Sequence, residues 1–164
     1  MITSALTNYD LEALAFPHYL GAYLRDKIKG IKVNTRYPFE YAVINLDDSE
    51  EDGKPIGTHW CLFACLHKLG TVVYVDPYGS PPPEEVIKYC RRVLPQYKRI
   101  YNNAQIQSMT SVTCGYWCLY FADHLRKLDR LNQVVSFFSM FLDKTEEDNE
   151  RMLEKYFEHV ECII

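Results

Sequence analysis

The sequence predicts an α+β fold: a central mixed or antiparallel sheet packed by helices, with a cysteine opening a central buried helix. Three observations carry this. Residues 41–46, 58–66 and 71–77 are short runs rich in β-branched and aromatic side chains, the composition of strands. Residues 82–94, 114–128, 131–142 and 145–160 read as helices. The 164 residues, 48% hydrophobic and 24% charged, suffice for one domain spanning 1–164 with a sizeable core, and no repeat or long linker divides it.

Taken in order, Asn8 is placed to cap a short helix through "YDLEALAF", ended near Pro17. "YLGAYLRDKI" continues the helical reading. The strand "YAVINL" is followed by the acidic loop "LDDSEEDGKPIG". "THWCLFACL" and "TVVYVDP" are strands joined by "HKLG", a hairpin-length connection. "YGSPPPEE" is a loop stiffened by consecutive prolines, and the helix 82–94 starts on proline and ends before Pro95. "KRIYN" (98–102) is a further short strand, with another near "AQIQSM". The helix from Cys114 to about Leu128 sets Trp117, Cys118, Phe121, Leu125 and Leu128 on one stripe. "LNQVVSFFSMFL" is a mostly apolar helix. The last helix is amphipathic, with Thr145 as its cap and acids in the first turn, where the macrodipole favours them.

Composition excludes several classes. No apolar run approaches the roughly 18 residues a membrane helix needs. The start, "MITSALTNYD", has neither a basic n-region nor an apolar h-region, which argues for an intracellular protein. The net charge of -4 gives no electrostatic case for nucleic-acid binding, and the basic run "RRVLPQYKR" reads as a solvated face. In a reducing compartment the six cysteines read as thiols: Cys61, Cys65, Cys90 and Cys118 as core, Cys162 as an exposed end residue.

Four polar groups stand against apolar surroundings: His59, Asp76, Gln107 and Cys114. His59 opens one strand of the hairpin and Asp76 ends the other, so both fall at its open end, within side-chain reach. A carboxylate beside an imidazole fixes its tautomer and favours its charged form, as activation of a nucleophile requires. Cys114 would supply that nucleophile, its thiolate favoured by a helix N-terminus and an adjacent imidazolium. Gln107 could donate its amide to an oxyanion together with the Cys114 N–H. Gln105, two residues away, is the alternative donor. Gly115 keeps the backbone beside the thiol uncluttered.

On these residues the chain resembles the adenovirus protease (adenain) family of cysteine endopeptidases, related to SUMO and other ubiquitin-like-protein deconjugases. "PHYLGAYLRDKIKG" is similar to the family's N-terminal Tyr/Phe-Leu-Gly-Thr-Tyr segment, "GTHWCLFA" to its His-Trp strand, and "YVDPYG" to its Glu/Asp-Pro-Phe-Gly motif. "QSMTSVTCGYWCLYFADHL" matches its Gln, six residues, then Cys-Gly and an apolar helix. The resemblance implies that Cys114 is the nucleophile, His59 the general base, Asp76 its orienting acid and Gln107 the oxyanion donor, with Trp60 and Gly115 lining the substrate site. It implies glycine beside the cut, viral precursor proteins as substrates during virion maturation, an activating viral peptide as partner, and residence in the virion and host nucleus. It implies no metal or organic cofactor, and a monomer is expected. Covalent peptide activation uses a cysteine whose ungapped counterpart here is Gln96, which argues against that form. The acidic balance argues against the family's DNA cofactor.

The competing readings are a deconjugase with the same fold, an acetyltransferase reusing the triad, a non-catalytic binding module, and a zinc site. The zinc set would draw on Cys61, Cys65, Cys114, Cys118, His59 and His67, but zinc ligands are usually spaced two to four residues apart on a turn, not within a strand or an apolar helix stripe.

Overall fold

The computed structural model describes residues 2–47 and 59–161, with side chains described through 159. Most of the acidic loop 46–57, Thr58 and Cys162 lie outside the described residues. Elements in order are α1 (Asn8–Ala13), β1 (Tyr19–Leu24), a 3-10 turn (Arg25–Gly30), β2 (Glu40–Asn45) and β3 (Trp60–Leu66). Then come a second 3-10 turn (His67–Leu69), β4 (Thr71–Val75), α2 (Glu84–Val93), β5 (Lys98–Tyr101), α3 (Cys114–Leu125), α4 (Leu131–Ser139) and α5 (Glu146–Glu161).

The sheet is mixed, in the order β1-β2-β3-β4-β5. The outer pairs β1/β2 and β4/β5 are parallel; β2/β3 and β3/β4 are antiparallel. Successive side chains along a strand face opposite sides, so the strands feed two cores. Leu62, Ala64, Val73 and Val75 pack with Trp117, Phe121, Val134 and Leu153 of α3, α4 and α5. Cys61, Phe63, Val72 and Tyr74 pack with Ile28, Val86 and Tyr89 of the first 3-10 turn and α2. The sheet is therefore covered on both faces, which explains why β2, β3 and β4 are buried at every position.

Several expectations need correction. "YLGAYL" is β1 rather than helix. His18 and Gly21 carry positive φ, 69° and 118°, which no helix interior tolerates, and the strand pairs in parallel with β2 from Tyr19↔Tyr41 to Leu24↔Asn45. The cap of α1 is Thr7, not Asn8: Thr7 Oγ1 accepts from Asp10 N at 3.2 Å while Thr7 N donates to the Asp10 carboxylate at 2.8 Å. "AQIQSM" is no strand. The N–H groups of Ile106 and Gln107 both go to the Pro77 carbonyl (2.9 and 3.0 Å), and the buried Asn149 amide of α5 holds the Ile106 carbonyl at 3.1 Å, so no ladder forms. α3 stops at Leu125, short of Leu128, and is buried nearly all round rather than along one stripe. α4 likewise stops at Ser139.

Gly79 ties the β4 end to that irregular segment. Its φ is +83°, its N–H closes a turn on the Asp76 carbonyl at 2.8 Å, and a Cβ there would lie 2.9 Å from the Ala104 backbone. Gly79→Ala is expected to destabilise the protein by about 1–3 kcal/mol through strain and backbone contact. A lower urea midpoint with an unchanged slope checks this, and an unchanged midpoint would count against the described turn.

Candidate active site

The β3/β4 hairpin places the first two groups. His59 directly precedes β3 and Asp76 directly follows β4. Their side chains meet, Nε2 to Oδ1 at 2.6 Å, with the carboxyl buried and the imidazole 15% exposed. Tyr78 stacks on the imidazole, ring centroids 4.1 Å apart and 14° between planes, while its N–H donates to the same Asp76 oxygen at 2.8 Å. Buried Asn102 fixes the Asp76 backbone from both sides: its Oδ1 accepts from Asp76 N at 2.9 Å and its Nδ2 donates to Asp76 O at 2.7 Å.

Cys114 is the first residue of α3 and 1% exposed. Thr113 in the cap position gives α3 no side-chain cap; its hydroxyl goes instead to Glu150 at 2.8 Å and Ser111 at 2.8 Å. The leading N–H groups of a helix favour negative charge. Burial pushes the His59 imidazole down. Hydrogen bonds to Asp76, then Cys114 and Cys61, outweigh it and hold the group raised, from 6.5 to about 12. Nδ1 makes no well-aligned hydrogen bond among the described residues. With Nε2 committed to Asp76, Nδ1 is the nitrogen left for a thiol.

Gln107 is fully buried, its Nε2 donating to the Ser111 carbonyl at 2.8 Å on the approach to α3. A primary amide carries two N–H groups, so one remains for another acceptor. Gln105 is exposed, its amide spent on the Gln107 carbonyl at 3.0 Å. Trp60 and Gly115 lie against each other. A Cβ on Gly115 would sit 3.0 Å from Leu6 Cβ and 3.4 Å from Trp60 Cδ1, and the indole N–H donates to the Leu6 carbonyl at 2.9 Å. Gly115 is thus required by close packing under the N-terminal segment.

The six-ligand zinc set is not assembled. His67 sits at the far end of β3, held by Glu40 at 2.8 Å and Tyr97 at 2.7 Å, and Cys61 and Cys65 face the core opposite Cys114 and Cys118. Among the described residues, the group of three metal-capable side chains with neighbouring donors is His59, Cys61 and Asp76, within 4.8 Å of one another. Its place in an apolar strand marks Cys61 as core. Its position two residues after His59 in a strand was the signal for a shared face. Tyr78 and Asn102 were also missed, Tyr78 despite lying inside "YVDPYG".

No family model and no curated protein matches the chain. Among solved structures, a crystal structure of an ASFV protease aligns at TM-score 0.58 and 14% identity, over 92% of this chain and 66% of that one. ChlaDub1 from Chlamydia trachomatis aligns at TM-score 0.51 and 18% identity, over 77% and 62%. The SUMO protease Ulp1 aligns at 0.43 and 18%, over 78% and 54%. The chain spans less than two thirds of the length of each. At such identities the likeness is one of fold: the chain has the adenain-like cysteine-protease fold that it shares with the ASFV protease and ChlaDub1.

Proposed function

We propose that residues 1–164 form one cysteine endopeptidase domain of viral or virus-like origin, cutting precursor proteins at glycine-containing sites during virion maturation. The observation that carries this is the 2.6 Å contact between His59 and Asp76 beside a thiol at the first residue of α3. The Cys114 thiolate attacks the peptide carbonyl carbon. The carbon–nitrogen bond breaks, the imidazolium of His59 protonates the departing amine, and an acyl thioester remains. Water then attacks the thioester, giving its proton to His59 and expelling the thiolate. Gln107 and the Cys114 backbone N–H stabilise the oxyanion in both steps. Cys114 and Trp60 are buried in one cluster, and this reading takes glycine beside the cut because a larger side chain would need more room there. Viral precursors are the substrates, an activating peptide is the candidate partner, and the enzyme works as a monomer without a resident metal or organic cofactor, in the virion and host nucleus.

The test is mass spectrometry after incubation with glycine-containing peptides, with and without candidate viral peptides, alongside a ubiquitin-like-modifier conjugate. Cleavage of peptides at glycine supports the endopeptidase. Release of the modifier alone makes the chain a deconjugase, and no cleavage of either rejects the reading. Gln107→Ala is expected to lower kcat by about 10²–10³-fold with little change in KM, whereas Gln105→Ala leaves both near wild type. Equal losses in the two variants would remove Gln107 from the oxyanion role.

A further inference from the structure

We propose that His59, Cys61 and Asp76 form a binding site for Zn²⁺ whose occupation switches the catalytic centre off reversibly. The consequence rests on the reading above; the site itself rests on geometry. Leu62 pairs with Val75 across the hairpin. Continuing that register by one residue sets Asp76 opposite Cys61, and period-two alternation puts His59 and Cys61 on the same face. Their donor atoms lie within 4.8 Å of one another, and the His59–Asp76 pair is already at 2.6 Å.

An imidazole nitrogen, a thiolate sulfur and a carboxylate oxygen are the ligand types zinc takes. Bonds of 2.0–2.3 Å in a tetrahedron put neighbouring donors roughly 3.3–3.8 Å apart. An ion therefore fits by opening the His59–Asp76 contact slightly and drawing the Cys61 sulfur inward. The thiol proton and the proton between Nε2 and Oδ1 leave to solvent. The two anionic ligands then balance the ion's charge, as a buried site demands. The supporting shell is in place: Asn102 clamps the Asp76 backbone and Tyr78 stacks on the imidazole. The partly exposed imidazole is the side from which an ion arrives. With Nε2 on the ion, the ring keeps its single proton on Nδ1 and no longer cycles between imidazole and imidazolium, so the acid–base steps stop.

The experiment is a Co²⁺ and Zn²⁺ titration of the folded chain carrying Cys114→Ser, so that any thiolate signal near His59 comes from elsewhere. The expected result is a thiolate-to-cobalt charge-transfer band with a tetrahedral visible spectrum, saturating at one ion per chain and displaced by Zn²⁺. Adding Cys61→Ser, or Cys61→Ala as a second variant with folding checked by circular dichroism, should abolish the band. It should also weaken Zn²⁺ binding by more than the roughly 10–100-fold that loss of an outer-shell partner costs. A band that survives loss of Cys61, a band seen only when Cys114 is intact, or no binding at all would overturn the proposal. Peptide cleavage in metal-free buffer tests the protease reading separately. A chain that binds Co²⁺ through Cys61 yet never cleaves keeps the site, and one that cleaves without showing the band loses it.

Discussion

Cys114→Ala is expected to lower peptide cleavage by about 10⁴-fold or more, the scale on which removal of a nucleophile acts, while leaving the fold intact. The substitution removes one sulfur atom from a buried position at the end of α3. The loss in stability is therefore small, about 1 kcal/mol on the scale of a buried methylene-sized deletion. A mild alkylating agent gives the second readout. The wild-type chain should show one fast-reacting cysteine among those described, because burial raises the thiols of Cys61, Cys65 and Cys118 and pushes Cys90 up to about 11. In Cys114→Ala that fast label disappears. Undiminished cleavage by the variant, or fast labelling that persists at another described cysteine, would remove Cys114 from the nucleophile's role.

What could be read from the sequence follows the range of the forces involved. The hairpin and its two polar ends were legible because strand composition and a short connection are local signals, and pairing through Leu66↔Thr71 follows from them. The helix opening at Cys114 was legible for the same reason. β1 was not. Its aromatic and small residues alternate weakly, and what makes it a strand is a parallel partner 20 or so residues away together with the backbone twist at Gly21. The segment holding Gln107 was misread as a strand because its residues suit one. Tertiary bonds to Pro77 and Asn149 decided otherwise. Asn102 is hidden differently: its bonds to the Asp76 backbone depend on a strand register the sequence alone leaves open. Cys61 is not hidden in that way, since its two-residue spacing from His59 already marks a shared face.

His59→Ala is expected to match Cys114→Ala in lost cleavage and also to lose the fast alkylation of Cys114, since the thiolate would lack its imidazolium. Asp76→Asn separates the contributions. Asparagine keeps a carbonyl oxygen where Oδ1 receives the ring N–H, so the imidazole stays oriented, but the negative charge is gone. Cleavage should fall less than in His59→Ala, and the pH profile should change shape. In the wild-type chain the raised His59 group, at about 12 against its ordinary 6.5, keeps the imidazolium through neutral and mildly alkaline pH. On the proposed mechanism the general acid would then be lost only at strongly alkaline pH. Without the Asp76 charge the imidazole titrates lower, so the alkaline limb of the cleavage profile moves toward neutrality. Stability follows the same sign. A group raised on folding contributes fully below its unfolded value, here 6.5, and that contribution is lost as pH climbs toward about 12. The urea midpoint of the wild-type chain should therefore exceed that of Asp76→Asn most near pH 6, with the gap closing as the buffer becomes alkaline. A gap that widens with pH, or a cleavage limb that stays in place, would leave Asp76 as the residue that shapes the turn after β4 and nothing more.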